Sequence, residues 1–279
     1  MINRERMRPA RRPAVAGMFY PEAPVRLAAD VRAYLAGAQA RGIVADDAAP
    51  KALIVPHAGY VYSGPVAASA YAQLGATRNR IRRVVLLGPT HRVAARGLVL
   101  PAAGAFETPL GTVKLDRDAV SLALGLPQVR QSDAPHLQEH ALEVQLPFLQ
   151  VVLEGFEIVP FAVGAATAQE VAEVIDLLWG GPETLIVISS DLSHYHRYAD
   201  AQAIDQASAE RILALDPALD HDQACGATPV NGLLLCARRR GLRPALLDLR
   251  NSGDTAGDKS RVVGYAAFTF TAEGDRGHP

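Results

Sequence analysis

The sequence contains few cysteines and no excess of either charge, and each absence excludes a class of protein. Its two cysteines, Cys225 and Cys236, are too few for a disulfide framework, which favours a reducing compartment. Lys and Arg number 28 against 29 Asp and Glu, a formal net charge of −1. Nothing in that balance indicates a surface for nucleic acid.

Long hydrophobic runs are absent as well. The basic residues 1–13 are followed by no apolar stretch, so they do not form a secretory signal. No apolar run approaches the roughly 20 residues that are needed to cross a bilayer. We therefore expect a cytoplasmic protein that binds neither nucleic acid nor membrane.

What the chain does contain is enough apolar sequence for a large core. Hydrophobic residues make up 49% of the 279 positions and the mean hydropathy is +0.07, which excludes general disorder. Strand-like and helix-like patterns alternate along the whole length, without a linker or an internal repeat. We predict one α/β domain over 1–279, folded as a three-layer αβα sandwich with a mostly parallel, possibly mixed, central sheet. Residues 1–12 and 272–279 are expected to be flexible.

The hydrophobic periodicity predicts the individual elements. Strands are predicted at 51–55, 83–87, 97–100, 111–115, 156–163, 185–189, 243–249 and 261–270. Helices are predicted at 24–39, 65–74, 139–154, 167–179, 199–215 and 229–240.

Three of the predicted strands run into polar residues that are able to do chemistry. His57 follows the strand at 51–55, His91 follows the strand at 83–87, and Asp191 and His194 follow the strand at 185–189. Ligands of an open α/β sheet bind at the carboxyl ends of its strands. A lone histidine there often bonds only to backbone, but three such ends favour a shared rim that forms the active site.

These residue types indicate metal binding or proton transfer. Imidazole is the commonest protein ligand for transition metals. His194 can serve as a general acid or base near neutral pH, and Asp191 can orient an imidazole. Cys225 precedes a predicted helix, whose dipole should lower the pKa of the thiol and favour a thiolate, although a small buried residue is the alternative. Cys236 lies inside the apolar run of that helix and is expected to be inert packing.

A short match to the inverted zinc-protease pattern occurs at His136, Glu139 and His140. On one helix the two histidines would share a face, and Glu139 would be the base. The pattern is only five residues long and is therefore a weak indication.

Seven segments, taken in order, resemble the Memo family, whose prokaryotic members are called AmmeMemoRadiSam system protein B. The resemblance covers nearly the whole chain. The segments are RPAVAGMFYP (12–21), VPHAGYVYSG (55–64), LGPTH (87–91), ETPLG (107–111), EHALEVQLPF (139–148), SSDLSHY (189–195) and SRVVGYAA (260–267).

The resemblance implies a fold similar to that of the class III extradiol dioxygenases, which hold Fe(II) with two histidines and one carboxylate. It implies a metal site made of His57, His91 and Cys225. His194 would occupy the position of the catalytic base, with Asp191 close by.

The resemblance also implies supporting residues and a choice of metals. His140 and Tyr195 would lie around the ligands and support them, whereas His136 is outside the family's motif. Fe(II) is implied first, as in the dioxygenases. Because a thiolate is softer than a carboxylate, Cu or Zn are the alternatives.

The implied function is that of a mononuclear non-haem iron (or copper) oxidoreductase of unknown substrate. A zinc-dependent hydrolase could use the same ligands to activate water. A non-catalytic module that binds a ligand or peptide is the third possibility. The name of the prokaryotic members implies association with a radical-SAM protein and a third small protein.

Overall fold

The computed structural model describes residues 10–42 and 49–272, and strands and helices alternate along them. The strands are β1 (Ala10–Arg11), β2 (Ala52–Val55), β3 (Arg83–Pro89), β4 (Leu98–Leu100), β5 (Ala105–Thr108), β6 (Gly111–Lys114), β7 (Val129–Gln131), β8 (Glu157–Val163), β9 (Thr184–Ser189), β10 (His194–His196), β11 (Leu242–Asn251) and β12 (Val262–Ala272). The helices are α1 (Pro24–Ala40), α2 (Tyr60–Tyr71), α3 (Arg117–Ala123), α4 (Ala134–Leu137), α5 (Leu146–Val152), α6 (Ala168–Leu177), α7 (Tyr198–Leu213), α8 (Ala227–Arg239) and α9 (Ser252–Thr255). Short 3₁₀ helices occupy Ala72–Thr77 and Glu143–Gln145.

The main sheet is parallel at its centre, and antiparallel pairings flank this central part on both sides. Its strands follow the order β11, β12, β2, β9, β3, β8, β4, β7, and β10 pairs with the start of β12. Strands β2, β9, β3 and β8 are parallel, while β12 is antiparallel to β2 and β4 is antiparallel to β8. The prediction that the sheet could be mixed is confirmed, since parallel and antiparallel pairings are equally frequent in it. The carboxyl ends of β2, β9 and β3 consequently meet at one edge.

Helices flank this sheet. All four residues of β2 are at most 1% exposed, and because side chains alternate between the faces of a strand, both faces must be covered. Helix α2 packs against β2, and α1 and α5 pack against α2. Helix α6 packs on α8, which lies against β3 and β9. The predicted α/β sandwich is confirmed. A smaller sheet, β1-β5-β6, includes Ala105–Thr108, where no strand is predicted from the sequence.

The long helix predicted at 139–154 is wrong. Helix α4 ends at Leu137, a turn follows, and α5 does not begin until Leu146. The carboxylate of Glu139 accepts hydrogen bonds from the N–H groups of His140 and Ala141, which replaces the bonds that a continuous helix would make. Side-chain competition of this kind is invisible to hydrophobic periodicity.

Other boundaries differ from the prediction by a few residues. Helix α2 begins at Tyr60, five residues earlier than predicted, so Pro65 lies inside it. Residues 10–12 were expected to be flexible, yet Ala10–Arg11 form β1 and Arg11 is buried. Likewise, Ala272 belongs to β12. The rest of that expectation, for 1–9 and 273–279, lies outside the described residues. Within the described ranges, no helix is both long enough and apolar enough to span a membrane.

Candidate metal centre

Three imidazoles meet at the carboxyl edge of the parallel strands. His57 follows β2, His91 follows β3, and His140 comes from the turn between α4 and α5. One nitrogen of each histidine lies within 4.8 Å of the others. The ring centroids are 5.1 Å apart for His57 and His91, and 4.7 Å apart for His91 and His140. The predicted shared rim therefore exists, and His140 belongs to the group of nitrogens itself.

The hydrogen bonds around His57 determine which of its nitrogens carries the proton. The Ser189 hydroxyl donates its single hydrogen to the Ala141 carbonyl and accepts a bond from the Gln145 amide, at 2.7 and 2.8 Å. It must therefore accept from His57 Nδ1, which lies 2.9 Å away. This leaves Nε2 without a proton, and its lone pair faces the Cys225 sulfur. Burial, followed by the neighbouring His91 and other imidazoles, holds the pKa of His57 well below its usual value, so the ring stays neutral.

Glu139 orients the other two imidazoles. Its carboxylate accepts from both the backbone N–H and Nδ1 of His91, at 2.6 and 2.9 Å, and lies 3.2 Å from Nδ1 of His140. Burial alone would raise the pKa of Glu139, but the bonds from His91 and from Ala141 outweigh it and lower the pKa to about 2. With Nδ1 donating to a carboxylate, Nε2 of His91 is available to a metal.

Asp191 faces His57. Its Oδ1 accepts the backbone N–H of His57 at 2.7 Å, and its Oδ2 lies 4.0 Å from His57 Nε2. Burial raises the pKa of Asp191, and the bond from His57 opposes that effect. Asp191 was expected to orient an imidazole, but His194 is held differently, since its Nδ1 donates to the Leu192 carbonyl at 2.8 Å. That bond leaves Nε2 of His194 free to accept a proton.

Cys225 joins the group through His57. Its Sγ lies 3.2 Å from His57 Nε2 and 3.9 Å from the Ser190 hydroxyl, directly before α8. The expectation of a lowered pKa is wrong for the thiol without a metal. Burial, and then the charge of Asp191, raise the pKa of Cys225 to about 12, and hydrogen bonds around the sulfur do not offset them. Cys236 is fully buried in the core, as predicted.

Tyr195 stands at the entrance to the site. It is 63% exposed and adopts φ 62°, a left-handed conformation that is uncommon for a residue with a side chain. Two clefts, of about 670 and 920 Å³, both include Tyr195, His91 and His194 in their walls. Cys225 lines the larger cleft, whereas His57 and His140 line the smaller one. The group is thus accessible from two sides.

The zinc-protease pattern is not realised. Because α4 ends at Leu137, His136 and His140 do not share a helix face. His136 is buried, and its Nε2 donates to the Val99 carbonyl at 2.9 Å.

The residues that orient the imidazoles were not predicted from the sequence. Glu139 was considered only as a base in the rejected pattern, and Gln145 and Ser189 were not considered as site residues. A signal was available, since Glu139, Glu143 and Gln145 interrupt an otherwise apolar segment and all three are buried. Buried polar side chains need partners, so their presence indicates a network.

Comparison with known proteins agrees with the resemblance in the motifs. The family profile described as "Memo-like protein" matches residues 11–269. A "MEMO1 family protein" of Sulfolobus acidocaldarius is 37% identical, over 92% of this chain and 98% of the relative. Proteins of the same name from Ignicoccus hospitalis and Aquifex aeolicus are 37% and 34% identical, each over 93% of this chain and 98% of the relative.

A solved structure supports the fold at a greater distance. The crystal structure of the uncharacterized protein JW3007 from Escherichia coli K12 has a TM-score of 0.50 and 14% identity, and it covers 77% of this chain and 98% of that chain. This likeness concerns the fold alone. The profile match and the identity to relatives over almost their full length establish that the chain belongs to the Memo family.

Proposed function

We propose that this protein is a mononuclear non-haem iron oxidoreductase that acts on a small organic substrate, with copper as the alternative metal. The observation that supports this proposal is the cluster of His57, His91 and His140, whose ligand nitrogens lie within 4.8 Å of one another. Family membership adds support through the ordered motifs that contain these histidines.

In the proposed site, His57 and His91 bind the metal through Nε2, and the thiolate of Cys225 is the third ligand. The donor set fits a metal, because the Nδ1 atoms of both imidazoles are already engaged by Ser189 and Glu139. Cys225 Sγ is 3.2 Å from His57 Nε2, so one cation could replace the thiol proton between them. A thiolate beside two imidazoles suits Fe, Cu(I) or Zn.

The remaining residues of the site would prepare the substrate. His194 is the proposed proton-transfer group, since Nδ1 is fixed by the Leu192 carbonyl and Nε2 is free. Asp191 holds the backbone of His57 and places a negative charge beside the ligands. When bound, the metal would supply open coordination positions and redox chemistry. The two clefts beside Tyr195 are the proposed routes of entry.

A zinc-dependent hydrolase is the second candidate, and one observation favours it. Three histidines with a free position form a catalytic zinc site of a well-known type, and His57, His91 and His140 offer that set. In this alternative, His140 replaces Cys225 as the third ligand. His140 and Tyr195 keep supporting roles in the iron proposal. Association with a radical-SAM protein and a third small protein also remains a proposal.

The ligand set is tested by metal analysis of protein purified with and without oxygen. His57→Ala, His91→Ala and Cys225→Ala are each expected to lose stoichiometric metal. Cys236→Ala is the matched control for the thiol and is expected to keep the metal, as are His136→Ala and His194→Ala. Wild-type affinity in Cys225→Ala combined with loss in His140→Ala would contradict the thiolate site and favour the three-histidine site.

Redox chemistry separates the candidate functions. Anaerobically loaded Fe(II) protein is expected to consume O₂ in the presence of a substrate, whereas a hydrolase would be active with Zn²⁺ and indifferent to O₂. A protein that binds metal and ligands but never turns over would contradict both enzymatic proposals.

A further inference from the structure

A buried arginine, Arg11, forms hydrogen bonds to the turn that carries Glu139. The guanidinium of Arg11 uses all three of its nitrogens. Nε donates to the His136 carbonyl, Nη2 to the Glu139 carbonyl and Nη1 to the carboxylate of Glu143, at 2.6, 2.6 and 2.7 Å. Arg11 is only 6% exposed, and its guanidinium lies 4.9 Å from the centre of the Phe106 ring.

Glu143 connects the same turn to the residues that follow Arg11. Its carboxylate is fully buried and accepts bonds from the N–H groups of Ala14 and Val15, at 2.7 and 3.0 Å. The Tyr20 hydroxyl donates to it at 2.6 Å. With the bond from Arg11, the carboxylate has four donors, which compensate its burial.

Segment 11–20 and turn 136–143 are therefore joined by buried polar contacts into one unit, which we call the N-terminal clamp. A single residue, Glu139, connects the clamp to the imidazoles. Arg11 holds the carbonyl of Glu139, and the carboxylate of the same residue orients His91 and lies beside His140. The guanidinium suits this task because its planar fork carries donors on three separate nitrogens, whereas all the donors of an ammonium group share one nitrogen.

From this geometry we infer that Arg11 is a positioning residue for the metal centre, acting through Glu139 on His91 and His140. The inference rests on the proposed metal site, but it assigns the clamp a task of its own. Metal affinity depends on the clamp, and by thermodynamic reciprocity the bound metal tightens the clamp. Residues that support metal ligands typically contribute about 10- to 100-fold in metal affinity.

Arg11→Lys tests the inference, with Arg83→Lys as the matched control. Lysine keeps the positive charge beside Glu143 but cannot reach all three acceptors. Arg83 forms an ion pair with Asp116 at 2.6 Å and begins β3, at the end opposite His91. Fe(II) is titrated anaerobically into each protein, with Zn²⁺ as a second probe. Arg11→Lys is expected to lose about 10- to 100-fold in metal affinity, and Arg83→Lys is expected to keep the wild-type affinity.

Hydrogen exchange of the clamp provides a readout that a merely structural role would not change. Metal is expected to slow exchange at the amides of Ala14 and Val15 in the wild type, and to do so less in Arg11→Lys. Tyr20→Phe removes one donor to Glu143 while leaving Arg11 in place. It should show a smaller change in the same direction, and it tests the coupling if Arg11→Lys does not fold.

The outcomes separate the clamp from the metal site. Wild-type protein that binds neither metal overturns the proposed function, and the inference with it. Metal binding by the wild type with unchanged affinity and unchanged amide protection in Arg11→Lys, or in Tyr20→Phe if that is the variant that folds, overturns the inference alone. An equal loss in Arg83→Lys also overturns it, because the effect would then be general destabilisation.

Discussion

At the scale of single residues, Glu139 connects the backbone of its turn with the chemistry of the site. Its carboxylate accepts bonds from the N–H groups of His91, His140 and Ala141 as well as from His91 Nδ1. A carboxylate with so many donors is stable as an anion although it is buried, which agrees with the lowered pKa. Glu139 thus fixes the tautomer of His91 and also the backbone conformation of the turn at residues 139–141.

Glu139→Gln is therefore expected to weaken metal binding by about 10- to 100-fold. The amide keeps the size of the side chain, but it lacks the charge and presents a donor where only acceptors fit. Calorimetric titration with Zn²⁺ measures the change. Glu170→Gln is the control, since Glu170 makes its bonds to Thr167 on the exposed surface of α6. Unchanged affinity in Glu139→Gln would show that His91 needs no carboxylate to bind metal.

How much of the site could be predicted depends on how far apart in the sequence the contacting residues lie. His57 and His91 were predicted because each follows a buried apolar run, a pattern that is local in sequence. Glu139 could not be assigned its role, because its partner His91 lies 48 residues away. Arg11 is separated from Glu143 by 132 residues, and nothing near Arg11 in the sequence indicates burial.

At the scale of elements, prediction succeeded where packing and periodicity agree. Strands β2, β3 and β9 were predicted within two residues of their bounds because apolar residues fill them continuously. The helix at 139–154 failed because buried carboxylates reorganise its first half. Elements with few apolar residues, such as β7 and β10, were not predicted at all.

The packing of α6 on α8 depends on a glycine inside a helix. A Cβ atom added at Gly232 of α8 would lie 2.4 Å from Val171 Cγ1 on α6. Gly232→Ala should therefore destabilise the protein by about 1–3 kcal/mol through overpacking, although alanine favours helix formation. Chemical denaturation measures the change in the free energy of unfolding.

Gly37→Ala is the matched control, because Gly37 lies inside α1 and the nearest atom to its added Cβ, at 3.9 Å, belongs to the flexible side chain of Arg41. Helix propensity then acts alone and should stabilise the protein by about 0.5–1 kcal/mol. Equal effects of the two substitutions would contradict close packing of α6 on α8.

At the scale of the whole molecule, the candidate ligands come from distant parts of the chain. Each lies next to a different element: His57 follows β2, His91 follows β3, His140 precedes α5 and Cys225 precedes α8. An ion held between them would therefore connect the ends of these two strands to the helices beside them. None of these residues is close to another in the unfolded chain. A metal that binds the folded state must therefore stabilise the whole fold.

Metal binding is accordingly expected to raise the midpoint of thermal unfolding. At a free metal concentration 100 times the dissociation constant, the stabilisation is about 2.7 kcal/mol, which corresponds to roughly 5–10 °C for a domain of about this size. Scanning calorimetry with and without Zn²⁺ measures it. His57→Ala should lose the shift and Cys236→Ala should keep it. A shift of equal size in His57→Ala would mean that the ion binds elsewhere than at the three imidazoles.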